Sequence, residues 1–264
     1  MKHSARWLLR ALTVMLCLLT GPLLMAACGS VQTGQHWYEA DRSSAGIAPL
    51  PDATREAVVQ VYAARAFSWR GFFAVHTWIA SKRTDADHYT VYDVTGWGES
   101  TVRTRADLPD RAWYGNSPRL LADIRGTKAA RLIPQIQAAV RRYPYPDYYR
   151  AWPGPNSNTF VAWVIREVPE LQVALPNTAI GKDFLPGGLV ASTPSGSGYQ
   201  VSLGGYAGVL ASVHEGLEVN LLGLSFGLNP QALGIKLPGL GEFSALDPWM
   251  ESGRDMTNPS AVTD

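Results

Sequence analysis

The sequence predicts an α+β fold, an antiparallel sheet packed against helices behind an N-terminal signal or anchor segment. Three observations predict it. Short runs at 58–62, 72–79 and 89–94 are dense in β-branched and aromatic residues, as strands are. Leu132, Ile133, Ile136 and Val140 recur at helical spacing, and a second apolar run covers 160–168. From Tyr199 to Phe243 glycine alternates with apolar residues, a pattern of twisted antiparallel strands.

Taken in order, Val58 to Tyr62 is the first strand and Phe72 to Ile79 the second, with Arg70-Gly71 between them. Tyr89 to Val94 is the third, and the charged stretch Lys82 to His88 is the turn of a hairpin. Ser117-Pro118 presents a cap residue followed by proline at a first helical position, so a helix is expected from residue 119. Gly126-Thr127 interrupts that helix, it resumes to Arg142, and Tyr143-Pro144-Tyr145-Pro146 stops it. A rigid approach, Trp152 to Pro155, leads into Asn156-Ser157-Asn158-Thr159 and a buried helix to Val168, limited by Pro169. Residues 176–198, rich in Gly, Pro and Ser, read as a long loop, a lid or simple surface packing.

Of 264 residues, 46% are hydrophobic and 17% charged, which excludes extended disorder of the polar, charged kind. Lys and Arg total 23 against 22 Asp and Glu, so no concentrated basic surface calls for nucleic acid. The glycine pairs 187–188 and 204–205 lack the Lys and Ser or Thr of a phosphate loop, and no nucleotide is expected.

Lys2, Arg6 and Arg10 precede an apolar run from Ala11 to Ala27, the order of a secretory signal. The run ends Leu24-Met25-Ala26-Ala27-Cys28-Gly29-Ser30, which resembles a bacterial lipobox, with Met25 where Leu is more usual and Cys28 as the lipidated residue. The alternative is an uncleaved transmembrane helix, since about 20 apolar residues span a bilayer. Both place the basic end inside and the rest outside the cytoplasm. Cys17 lies within the apolar run and Cys28 is the acylation site, so the folded part has no disulfide and no thiol nucleophile. His36, His76, His88 and His214 show no ligand-pair spacing, and no metal or other cofactor is expected.

Two segments could carry chemistry. Ser157 enters a helix N-terminus, where unpaired N–H groups favour a developing oxyanion. A serine needs a base, and His76 in the strand Val75-His76-Thr77-Trp78 is the candidate. Tyr62, Asp93 or His88 are available to orient its ring. The plain alternative is that Asn156, Ser157, Asn158 and Thr159 only cap the helix and His76 is a core histidine. The tryptophans are expected mainly in the core, and Lys182-Asp183 as a solvated pair.

The strand Val75-His76-Thr77-Trp78-Ile79 and the helix start Asn156-Ser157-Asn158-Thr159-Phe160 resemble the His-Thr strand and Asn-Cys-Asn-Thr-Phe segment of PPPDE-type peptidases, which have a circularly permuted papain-like fold. They are also similar to lecithin:retinol-acyltransferase-like enzymes. The resemblance implies Ser157 as nucleophile and His76 as base, but serine replaces the family cysteine, so it implies a serine variant or an inactive relative. Through Asp41 to Gly46, Gly154 to Phe160 and Ile180 to Asp183, the chain also resembles the bacterial domain-of-unknown-function 3750 family.

The expected organisation is a signal or anchor over 1–27, a tether over 28–53, one α+β domain over 54–245 and a tail over 246–264. Two functions are expected. One is a membrane-anchored envelope hydrolase or acyltransferase using His76 and Ser157. The other is a noncatalytic lipoprotein that binds a lipid, peptide or cell-wall fragment, or docks an envelope partner. Asn156, Asn158, Thr159, Trp78 and Trp152 are the expected substrate contacts. The one expected partner is membrane lipid, through the N-terminal anchor; the address is the cell envelope, as a periplasmic lipoprotein.

Overall fold

In the computed structural model, which describes residues 2–98 and 100–246, the chain is α+β with two antiparallel sheets and three α-helices among the described residues. All but the first residue of the tail expected over 246–264 lie outside the described residues.

Helix α1 (Lys2–Ala27) is the apolar N-terminal segment. Strands β1 (Val58–Arg65), β2 (Val75–Lys82), β3 (Thr90–Val94), β4 (Val102–Ala106) and β5 (Arg119–Arg125) form a five-stranded sheet in the order β4-β3-β2-β1-β5. Strands β1 and β2 pair with Val61 opposite Ile79 and Ala64 opposite His76. Helices α2 (Gly126–Arg141) and α3 (Ser157–Glu167) cover one face, where Val59, Val61, Ile79 and Tyr92 meet Leu132, Ile136, Phe160 and Val164. The opposite face carries Tyr62, Ala64, Trp78 and Val91, closed by Trp113.

The helix expected from residue 119 is instead strand β5 up to Arg125, at the edge of the sheet against β1. Val59 pairs with Ile124 and Val61 with Ala122, so pairing with β1 overrides the Ser117-Pro118 start signal. Helix α2 begins at Gly126, whose φ of 64° turns the chain out of the strand. The second strand starts at Val75 rather than Phe72, because Ser68–Phe72 forms a 3-10 turn. The tether expected over 28–53 is not free along its length. Asp110 accepts bonds from Ser44 Oγ and the amides of Ile47 and Ala48, and the Ala112 amide donates to the Ser43 carbonyl.

The second sheet is a seven-stranded meander: β6 (Val190–Ser192), β7 (Gly198–Leu203), β8 (Ala207–Ser212), β9 (Gly216–Leu221), β10 (Leu224–Asn229), β11 (Gly234–Leu237) and β12 (Gly241–Ser244). Part of the 176–198 loop is thus strand β6. The polarity of this sheet is inverted. In β9 Leu217, Val219 and Leu221 are exposed while Glu218 and Asn220 are buried. Cross-strand pairing aligns Tyr199, Ala211, Leu217, Leu228, Ile235 and Phe243 in one outward row, and Val190, Val201, Val209, Val219 and Phe226 in another.

The buried face of this sheet is largely polar and carries an ion and hydrogen-bond network, although Gln200 Nε2 and Ser225 Oγ have no partner among the described residues. Lys182 Nζ donates to Glu218 Oε2 at 2.6 Å, and Lys236 Nζ donates to Glu218 Oε1 at 2.6 Å and to the Glu215 carbonyl at 2.7 Å. Burial opposes the charge on Lys182, yet Asp183 and Glu218 raise its pKa; burial likewise opposes Glu218, and the two lysines hold its carboxyl low. Asn220 donates to Asp183 at 3.1 Å, and Arg166 on α3 donates to Gln200 at 2.8 Å. Lys182-Asp183 is therefore no solvated pair, because the inward faces of β9 and β11 bring carboxylate and ammonium over it. A one-residue slip would expose these charges, so the network fixes the register.

Candidate functional site

The helix start at 156–159 is built as a cap. Asn156 Oδ1 accepts from the amides of Asn158 at 2.9 Å and Thr159 at 3.2 Å, and Thr159 Oγ1 accepts from the Asn156 amide at 3.1 Å. Gly181, at φ 103°, allows the Asn156 side chain to approach; any Cβ there would overlap it. Asn158 Nδ2 donates to the carbonyls of Val75 at 2.9 Å and Ile180 at 2.8 Å, and Thr159 Oγ1 donates to the Gly181 carbonyl at 2.7 Å. These side chains tie α3 to β2 and to the 180–181 loop. Ser157, 4% exposed, lies in the first turn of α3.

His76 is elsewhere. Successive side chains of a strand point to opposite faces. Thr77 faces α3 and donates from Oγ1 to Asn158 Oδ1 at 2.9 Å, so His76 faces away. Its ring stacks on Trp113 with centroids 3.5 Å apart and planes 7° from parallel. The sheet separates this imidazole from Ser157 on α3, and the geometry does not assemble the expected dyad. Burial lowers the His76 pKa to about 3, and Nε2 has no hydrogen-bond partner among the described residues.

None of the three groups considered for orienting the ring does so. Tyr62 donates to Gln60 at 2.7 Å, His88 is exposed beside Asp87, and Asp93 is held by arginines. Trp78 is buried, its Nε1 donating to the Pro109 carbonyl at 2.7 Å. Trp152 is exposed at the rim of the seven-stranded sheet, donating to the Leu222 carbonyl at 2.8 Å and meeting Tyr206 edge-on. Cys28 is exposed beyond the end of α1.

A concave polar site lies on the His76 face. A cavity of about 120 Å³ is lined by Arg42, Arg103, Arg105, Arg111, Trp113 and Tyr114. Arg103 and Arg105 stand two apart on β4, so both project to one side, opposite Asp93 on β3. Arg103 Nη2 lies 2.7 Å from Asp93 Oδ2, and Arg105 Nη1 lies 2.8 Å from Asp93 Oδ1. Burial alone would raise the Asp93 pKa, but the two guanidiniums hold it below the usual carboxylate range. Asp107 takes Arg105 at 2.8 Å and Arg111 at 2.5 Å. Arg42 lies over the Tyr114 ring, 4.6 Å from its centroid.

Four guanidiniums thus meet two carboxylates, an excess of positive charge beside an aromatic wall, and Arg111 Nε is buried with no partner among the described residues. Such a site suits a planar or tetrahedral oxyanion, which arginine forks can grip. The sequence carried one signal for it, Val102-Arg103-Thr104-Arg105-Ala106, whose two arginines share a strand face. Among the described residues, no three His, Cys, Asp or Glu side chains converge as a metal site.

No curated protein and no solved structure matches the chain. A family model described as a protein of unknown function (DUF3750) matches residues 56–184, which hold the five-stranded sheet, both packed helices and the capped turn. Over that segment the chain is similar to the DUF3750 family.

Proposed function

We propose that this protein is a membrane-anchored module of the cell envelope, held by α1 with its domain outside the cytoplasm, which binds an anionic ligand rather than catalysing through Ser157. The observation that carries this reading is the excess of guanidinium around one aromatic-walled cavity, on the face of the sheet opposite Ser157. The His76–Trp113 stack gives the cavity a rigid wall, and the capping bonds account for Asn156, Asn158 and Thr159 without a substrate.

For the anchor, Arg6–Ala27 is long and apolar enough to cross a bilayer. Leu18 is buried, a Cβ on Gly21 would overlap the Pro238 carbonyl, and Met25 Sδ accepts from Arg65 at 3.7 Å. A helix packed on its own domain supports retention rather than release at Cys28. Intact mass spectrometry should find residues 1–27 present, and a mass beginning at an acylated Cys28 would overturn that part.

Binding is tested by isothermal titration of the full chain with inorganic phosphate. Wild type should bind saturably, and Arg42→Ala, which leaves both aspartates paired, should weaken binding about tenfold, the loss of one charge-assisted contact. Undetectable binding by wild type, or equal binding by the variant, overturns the proposal.

A further inference from the structure

The outer face of the seven-stranded sheet is apolar and exposed. A sheet with one solvated face alternates apolar inward and polar outward. Here the alternation runs the other way, with Tyr199 74% and Ile235 53% exposed over buried Gln200 and Lys236. Across β7 to β12 the outward row spans five strand gaps, about 24 Å at the usual strand spacing. Neither outward row contains a charged side chain. The buried ion network rules out a slipped register as the cause, since Lys182, from outside the sheet, fixes Glu218 inward.

The fold indicates what covers this face. Helix α1 is seated against the turn between β11 and β12: Gly21 abuts Pro238 and Leu240, and Pro22 abuts Gly239. Arg65 on β1 fastens that turn, donating to the carbonyls of Gly239 at 2.6 Å and Leu240 at 3.1 Å. Gly21 lies six residues before Ala27, about 9 Å inside the end of the apolar span. When α1 spans the membrane, this corner of the sheet is therefore carried to the level of the bilayer. Trp152 and Tyr206, both exposed, sit at the turns of the same end of the meander, the residue types that favour a membrane interface.

We infer that the outward face of β7–β12 rests on the lipid bilayer that α1 crosses, so that the protein is held by a span and by a monotopic sheet surface together. The inference rests on the membrane anchoring proposed above, and adds a second, independent lipid contact. Its occupant is lipid rather than a second protein, because an uncharged sheet face continues from a turn already fixed to a bilayer-spanning helix.

The test uses the full chain with Cys17→Ser and Cys28→Ser, carrying single cysteines labelled with an environment-sensitive fluorophore. It is reconstituted in vesicles of phosphatidylethanolamine and phosphatidylglycerol. Labels at Leu12→Cys, Val219→Cys and Ile235→Cys report the anchor and two outward strand positions, and Gln135→Cys, exposed on α2, is the aqueous control. Brominated lipid should quench the labels at 12, 219 and 235 while iodide quenches only that at 135. Adding Leu217→Asp and Leu228→Asp, exposed positions that do not threaten folding, should make the label at 235 lose its lipid quenching and become accessible to iodide.

Iodide quenching at 219 and 235 with lipid quenching retained at 12 overturns the sheet contact and leaves the anchor. Loss of lipid quenching at 12 overturns the anchor. Protection of 219 and 235 from both quenchers identifies a protein partner or second copy and equally overturns the lipid contact.

Discussion

Thr77 Oγ1 donates to Asn158 Oδ1 at 2.9 Å, so it is the threonine of the strand, and not its histidine, that meets the helix start. Asn158 also donates to the carbonyls of Val75 and Ile180, which makes it a buried joint among strand, helix and loop. Asn158→Leu should remove the side-chain partner of Thr77 Oγ1 and of the Val75 carbonyl, while Asn156 still donates to the Ile180 carbonyl, and lower stability by about 2 kcal/mol or more. Ser157→Ala, a neighbour with no such role, should cost under about 1 kcal/mol. Urea denaturation of the two variants measures the contrast, and equal losses would argue against it.

Gly181→Ala would force a Cβ onto the Asn156 side chain at a backbone φ of 103°. Backbone strain of about 1–3 kcal/mol and a lost cap of about 1 kcal/mol should combine in one substitution. Thermal denaturation should show Gly181→Ala more damaging than Gly187→Ala, whose added Cβ meets nothing within 4 Å although its φ is also positive. Comparable melting temperatures would contradict the close approach of cap and loop.

The Lys182–Glu218–Lys236 chain specifies register more than it stabilises. Lys182→Met should cost about 3 kcal/mol, since Glu218 and Asp183 lose a buried partner. Replacing Lys182, Glu218 and Lys236 together by apolar residues should recover most of that loss, but weaken the preference for the present facing of the sheet. Denaturation together with cysteine accessibility at Val219 reads both quantities. A triple variant far less stable than the single one would contradict this account.

His76 makes stability depend on acidity. Its folded pKa, about 3, lies below the unfolded value of about 6.5, so the unfolded chain binds the proton more readily. This contribution is complete above pH 6.5 and is lost as pH falls toward 3, with a slope of up to about 1.4 kcal/mol per pH unit. His76→Phe, which keeps a ring against Trp113, should flatten the dependence between pH 6.5 and 4.5. An unchanged profile would place the imidazole in contact with solvent.

Much of the architecture is legible in the sequence, for identifiable reasons. Strands β1 to β3 announce themselves through β-branched density, and α2 and α3 through apolar spacing. Residues 119–125 mislead because Ser117-Pro118 mimics a helix start, while the alternation of Leu120, Ala122 and Ile124 becomes decisive only when β1 offers an edge. The order of His76 and Ser157 along the chain says nothing about sides; strand parity does, and it gives the helix-facing place to Thr77. The arginine cavity is assembled from β4, the nearby 111–114 turn and Arg42, which lies some sixty to seventy residues earlier, so only the Arg103-Thr104-Arg105 spacing hints at it. Polar and apolar residues alternate along β9, but which half faces inward depends on Lys182, brought in from a distant loop.

The central claim, that binding at the arginine cavity rather than catalysis at the helix start is the function, comes down to one comparison. The dissociation constant for inorganic phosphate is measured by isothermal titration for the full chain carrying Ser157→Ala and carrying Arg111→Ala. The account predicts that Ser157→Ala binds as wild type does and that Arg111→Ala binds about tenfold more weakly. Weakened binding in Ser157→Ala with full binding in Arg111→Ala would contradict it.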